Sequence, residues 1–231
     1  MKKGRLLLVL LFLGFSFLNQ DYSFSLETKE PVQHLIQTIT LEDFETPGTW
    51  ISKYSRFRMQ NWKDPLSSQY ESSDKWMFWK KIPVEDYQTF GKPTYAADIK
   101  SGKLTAMGVR SKYYTKGYNW ISIEPKQDLY LMGKLLSLRV WVWGGNYNYH
   151  MYVILKDFKD KLYQIDLGSL AFVGWKQLSA DLIAQGLKQY DIWVPQSKPV
   201  KFLRFLIVSD VNERPDRFGI WLDDLQYDTD L

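Results

Sequence analysis

The chain has 231 residues, with 30 basic and 26 acidic side chains, 10 Trp, 15 Tyr, 13 Phe, two His and no Cys. Charges this evenly balanced argue against a nucleic-acid partner, which needs a concentrated basic footprint. The absence of cysteine excludes disulfides, a thiol nucleophile and a cysteine-linked lipid anchor, so stability must come from a packed core.

The first element is an export signal. Lys2, Lys3 and Arg5 precede an apolar run, Leu6 to Leu18, interrupted only by Gly14 and Ser16. A run of about 13 residues is too short to span a bilayer, and Ser23 and Ser25 suit a peptidase, so residues 1–25 read as a signal peptide cleaved after Ser25. The alternative is an uncleaved anchor. Removing residues 1–25 leaves 27 basic and 25 acidic side chains, a net of +2. Residues 26–34 are polar and read as a flexible leader, and residues 35–231 as a single domain.

Leu35 to Leu41 is a β-branched strand that runs into Asp43-Phe44-Glu45, and Pro47-Gly48 turns the chain. Residues 53–93 are polar and sustain no period, yet they carry Trp62, Tyr70, Trp76, Phe78, Trp79, Tyr87 and Phe90. They read as a long loop insertion, and the aromatics argue against simple disorder. Strand signals return at Leu104 to Tyr114 and Tyr118 to Glu124. Leu135 to Trp143 alternates, with Leu136, Leu138, Val140 and Val142 on one face and Arg139, Trp141 and Trp143 on the other. Gly144-Gly145-Asn146 then predicts a hairpin to Tyr149, Met151, Val153 and Leu155. Further strands are expected at 161–167, 174–178, 201–209 and 218–227, with one short helix near Ala180–Gln189 capped by Ser179. Many short strands and at most short helices imply an all-β fold, a jelly-roll β-sandwich resembling carbohydrate-binding modules. No second apolar run is long enough to cross a membrane, and 53–93 is too irregular for an outer-membrane barrel.

Catalytic constellations are mostly absent from the sequence, and carboxylates are the remaining candidates. The two histidines are His34, beside the leader, and His150, read as a partly exposed strand residue. No HExxH, GxSxG or phosphate-cradling glycine motif occurs. Asp43 with Glu45, and Asp223 with Asp224, lack a spacing specific for hydrolysis. Their hard oxygens suit a structural calcium ion, the alternative being ordinary solvent-facing acids. The aromatics carry more information. Phe44, Phe172, Phe202 and Phe218 fit inward strand positions. Trp141 and Trp143 lie opposite an aliphatic face and read as core covered by the insertion. Trp62, Trp76, Phe78, Trp79 and Tyr147 are the candidate partner-binding residues, since Trp and Tyr combine large contact area with a polar handle.

Four strings carry a family resemblance: Gly117-Tyr118-Asn119-Trp120-Ile121-Ser122-Ile123-Glu124-Pro125, Leu138 to Tyr149, Leu167 to Lys176, and Phe218-Gly219-Ile220-Trp221-Leu222-Asp223-Asp224. In this order they resemble the spirochaete flagellar filament outer-layer (sheath) family, FlaA. The resemblance spans most of 36–228 and is weakest over 53–93. It implies a periplasmic protein on the periplasmic flagellum that coats the flagellin core and affects filament curvature, stiffness and motility. It implies no catalysis and no cofactor. The partners it implies are core flagellins and other sheath and coat proteins, with no nucleic acid and no membrane once the signal is removed. The competing readings are a periplasmic glycan-binding jelly-roll module and, behind it, a glycosidase or lyase.

Overall fold

The computed structural model describes residues 35–55, 77–81, 102, 104–190, 193, 196–215 and 217–230, with backbone only for 80 and 81. All of them fall in one unit, His34–Leu231. Twelve strands run in order: β1 Ile36–Glu42, β2 Trp50–Tyr54, β3 Met77–Lys81, β4 Thr105–Lys112, β5 Trp120–Pro125, β6 Leu129–Leu131, β7 Lys134–Gly145, β8 Tyr149–Lys156, β9 Leu162–Ser169, β10 Val173–Asp181, β11 Val200–Ser209 and β12 Arg217–Asp230. One sheet has the order β10-β7-β12-β4-β3, with β1 also on β12; the other has β2-β5-β11-β8-β9, with β6 also on β11. All pairings are antiparallel. The expected all-β sandwich is therefore what forms.

The core lies between the sheets, built by residues at every second position. Tyr149, Met151, Val153 and Leu155 from β8 enter it as the alternation predicts. Trp50 packs its ring 5.9 Å from Phe205 and edge-on to Phe202 at 5.7 Å. Phe44, Phe202 and Phe218 are buried, and Phe172 packs half-buried on the core margin.

Several expectations need correction. The first is the hairpin. β7 pairs with β10 and β12, whereas β8 pairs with β9 and β11. Residues 144–148 therefore form an arch that carries the chain from one sheet to the other. Its amides find partners in neighbouring loops: Asn146 N donates to Phe172 O at 2.7 Å, Tyr147 N to Leu170 O at 3.2 Å and Asn148 N to Glu213 Oε2 at 2.8 Å. Asn146 takes the left-handed conformation at φ 60°, which short polar side chains tolerate.

The second correction is local to β7. Ser137 faces Asp228 but Leu135 faces Thr229, so Leu136 is an extra residue in the ladder. Leu135, not Leu136, joins Leu138, Val140 and Val142 in the core. The third concerns the helix. β10 runs on to Asp181, and a single turn follows. Asp181, not Ser179, caps it, with Oδ1 accepting from Ala184 N at 2.8 Å. No helix occurs among the described residues. The fourth is the stretch 53–93, which is not all loop. It contains the end of β2 and the whole of β3, an integral strand on β4.

Candidate functional site

The outward face of the first sheet carries a row of aromatic side chains. Registry aligns Trp175 of β10 with Trp143 of β7, Trp143 with Trp221 of β12, Trp221 with Gly108 of β4, and Gly108 with Phe78 of β3. Cross-strand alignment brings such rings side by side on one face. Gly108 is the gap in the row, and Phe78 fills it. A methyl group there would lie 2.2 Å from the Phe78 ring, so only glycine admits it. The ring meets Trp221 edge-on at 4.5 Å, and the Arg110 guanidinium lies 5.0 Å from its centre. Trp141, one row away, packs with Trp175 and Ala106, each of the two tryptophans 8% exposed; Trp143 and Trp221 are half-buried beside them. Trp141 is buried as expected, and Trp143 is only partly so.

The candidate contact residues separate here. Phe78 belongs to this outward cluster. Trp79 faces the opposite way, into the core between the sheets, and is fully buried. It presents nothing to a partner, and strand alternation in β3, which sends Phe78 outward and Trp79 inward, overturns its expected role as a contact residue. Trp62 and Trp76 lie outside the described residues.

Tyr147 sits in the arch. Its ring packs 4.9 Å from Phe218, and it lines a cleft of about 200 Å³ with Asn146, Tyr149, Glu213, Arg214 and Arg217. Burial, reinforced by Tyr113, Glu213 and Tyr147 nearby, pushes the Tyr149 phenol far above its ordinary range, so it stays neutral. Glu213 is engaged by the Asn148 and Arg214 amides. The cleft combines aromatic walls with the Arg214, Arg217 and Glu213 side chains.

Among the described residues no group of three or more His, Asp or Glu side chains forms a metal cage. Glu45 accepts from Thr105 N at 3.0 Å and Asp43 from Glu45 N at 3.2 Å. Asp223 is 3% exposed and accepts from Asp224 N at 2.9 Å. These two acids do not simply alternate, because Asp224 sits at φ 45° in a β-bulge. His150, half-exposed on β8, places Nε2 2.6 Å from Asp166 on β9.

Sequence reasoning missed Trp175, Trp221, Gly108 and Arg110 as parts of the aromatic face. Trp175 and Trp221 were visible in the quoted strings. What was hidden was that strands far apart in sequence share one row.

These features define an all-β, two-sheet sandwich whose notable surfaces are aromatic and basic. The chain belongs to the flagellar filament outer layer protein family, FlaA, whose sequence pattern matches residues 92–231 and thus takes in all four strings. A flagellar filament outer layer-like protein of Brachyspira hyodysenteriae (strain ATCC 49526 / WA1) is 26% identical over 125 residues, covering 54% of this chain and 57% of that protein. The chain therefore aligns with little more than half the length of that relative. Among solved structures, TmCBM61 in complex with β-1,4-galactotriose superposes with a TM-score of 0.44 at 10% identity, over 84% of this chain and 99% of that one. The family 11 carbohydrate-binding module from Clostridium thermocellum, in complex with a β-1,3-1,4-mixed-linked tetrasaccharide, gives 0.42 at 11% identity, over 84% and 96%.

Proposed function

We propose that this chain is a structural sheath component of the periplasmic flagellar filament, coating the flagellin core and affecting its curvature, stiffness and the cell's motility. The observation that carries this reading is the family match over 92–231, more than half of the chain. The proposed partners are core flagellins and other sheath proteins, reached after export through the signal at 1–25. The proposed role is non-catalytic and needs no cofactor.

A coat works by repetition. Contacts between unlike surfaces propagate along a helical support rather than closing into a ring. Individually weak contacts then suffice, because each neighbour raises the effective concentration of the next. Trp62, Trp76 and Tyr147 remain proposed contact residues. On the face of the first sheet, the geometry favours this reading over glycan binding: Phe78 and Trp221 are perpendicular, and Trp141 and Trp175 are buried, whereas a sugar platform needs coplanar exposed rings.

The test is cryo-electron microscopy of filaments isolated from cells with and without this chain. Loss of density outside the flagellin core, together with changed filament curvature and swimming, is the expected result. Filaments identical in diameter, shape and motility would sink the proposal.

A further inference from the structure

The outward face of the second sheet differs in kind from that of the first. Strand register lays it out in rows. Trp120 of β5 faces Val208 of β11, which faces His150 of β8. The next row runs from Leu206 through Tyr152 to Asp166 of β9. Trp120 is 38% exposed, and the His150 ring lies 4.9 Å from that of Tyr152, tilted by 36°. The two strand spacings from Trp120 to His150 amount to about 10 Å. Rings thus stand at both sides of a strip whose floor is the half-buried Val208 and Leu206.

Polar side chains occupy the same face and hold one another in place. Glu124 accepts from Lys53 through Oε2 and from the Ser122 hydroxyl through Oε1 at 2.8 Å. His150 pairs with Asp166 across the strands. Arg204, opposite Ile154 in the third row, places Nη1 3.9 Å from Glu124 Oε1, too far for a hydrogen bond. Its Nε has no partner either, and the side chain makes no hydrogen bond among the described residues. The guanidinium is left with donors to give.

This mixture points to a class of ligand. The core of a protein interface is depleted of charge, whereas charged groups here stand beside the rings in the middle of the face. The charges also cancel. Lys53, Lys156, Lys201 and Arg204 are matched by Glu124, Asp160, Asp128 and Asp166, so the face favours no charged polymer. A sugar ring has a flat C–H side that stacks on aromatic side chains. Its rim of hydroxyls exchanges hydrogen bonds with planar carboxylate and guanidinium groups. A straight strip across three strands suits an extended, β-linked chain.

We infer that the outward face of the second sheet binds a neutral, unbranched β-linked glycan. Trp120 and Tyr152 stack on its sugar rings, and Arg204 and Asp166 bond its hydroxyls. This activity is additional to the coat role and does not rest on it.

The experiment is isothermal titration calorimetry of the full chain with cellohexaose and with chitohexaose. At least one of them is expected to bind, with an affinity that does not change between low and high salt. Trp120→Ala and, separately, Arg204→Gln are each expected to weaken binding about tenfold. Val173→Ser, on the edge strand of the first sheet, is expected to change nothing. Thermal unfolding confirms that each variant is folded, and Arg204→Gln keeps the test valid if Trp120→Ala is not.

No binding of either sugar overturns the inference, as does an affinity that falls with salt. Binding that Trp120→Ala and Arg204→Gln both retain also overturns it. So does loss of filament co-sedimentation in these variants when neither sugar binds, because the face would then be a protein interface. Filaments unchanged by removal of this chain overturn the coat reading and leave the glycan face standing.

Discussion

Individual residues show how closely the outward aromatic face is fitted. Gly108→Ala would drive a methyl group into the Phe78 ring, which must leave Trp221 and Arg110. Overpacking of this kind costs about 1–3 kcal/mol, and a protein of this size loses about 2–4 °C in Tm for each kcal/mol. Differential scanning calorimetry checks this, and an unchanged Tm would mean that the ring is loosely held. A second residue carries a pH signature. Asp228 accepts from Thr38 at 2.6 Å, Ser137 at 2.7 Å and Arg139 at 2.6 Å. Burial alone would raise this carboxyl, but the three donors and the Arg139 charge together outweigh it and hold it below the ordinary carboxylate range. A depressed folded-state value means that the stabilisation is present above the unfolded value and lost as pH falls through the folded one. Asp228→Asn is expected to cost about 1–3 kcal/mol at neutral pH, a difference from wild type that shrinks as pH drops below about 4. Urea unfolding from pH 3 to 7 measures it, and a constant difference would refute the ionic account.

At the scale of elements, the bulges decide which side chains reach the core. In β12, Phe218, Ile220 and Leu222 face inward, and so do Leu225 and Tyr227. That change of parity needs one extra residue, and the register shift between Asp223 and Gln226 supplies it. Deleting Asp224 would leave Leu222 and Leu225 two residues apart, so Leu225 and Tyr227 would still face inward, and a folded protein without the bulge is expected. Asp224→Gly should be neutral or stabilising at φ 45°, whereas Asp224→Val should cost about 1–2 kcal/mol in the left-handed region. Expression and thermal unfolding of the three variants test the sequence of effects. The strands themselves were legible because alternation is a local property: the sequence reading 201–209 became Val200–Ser209, and 218–227 lies inside Arg217–Asp230. Bulges and the arch at 144–148 were not legible. A glycine-rich turn between two alternating runs looks the same whether its strands pair with each other or diverge to different sheets. The outcome is set by distant partners, here Phe172, Leu170 and Glu213. The outward site was legible only as separate tryptophans for the same reason.

For the whole molecule, the division of labour between core and coat contact can be tested within one stretch of sequence. The strings at 117–125, 138–149, 167–176 and 218–224 identify the family, and they supply strands to both sheets. The stretch 53–93, where the resemblance is weakest, nevertheless contains β3, whose Trp79 and Met77 are fully buried. Removing the stretch entire would therefore unfold the protein and say nothing about filament contact. Point substitutions distinguish the two roles. Trp79→Ala empties a core site and is expected to cost about 3–5 kcal/mol, so filament binding would be lost together with the folded state. Trp62→Ser and Trp76→Ser are proposed to leave Tm within about 2 °C of wild type, a shift of roughly 1 kcal/mol or less for a protein of this size, while weakening co-sedimentation with filaments. If these two variants melt as early as Trp79→Ala, those tryptophans are core and not coat contacts. If they bind filaments as wild type does while remaining folded, recognition lies elsewhere on the sandwich.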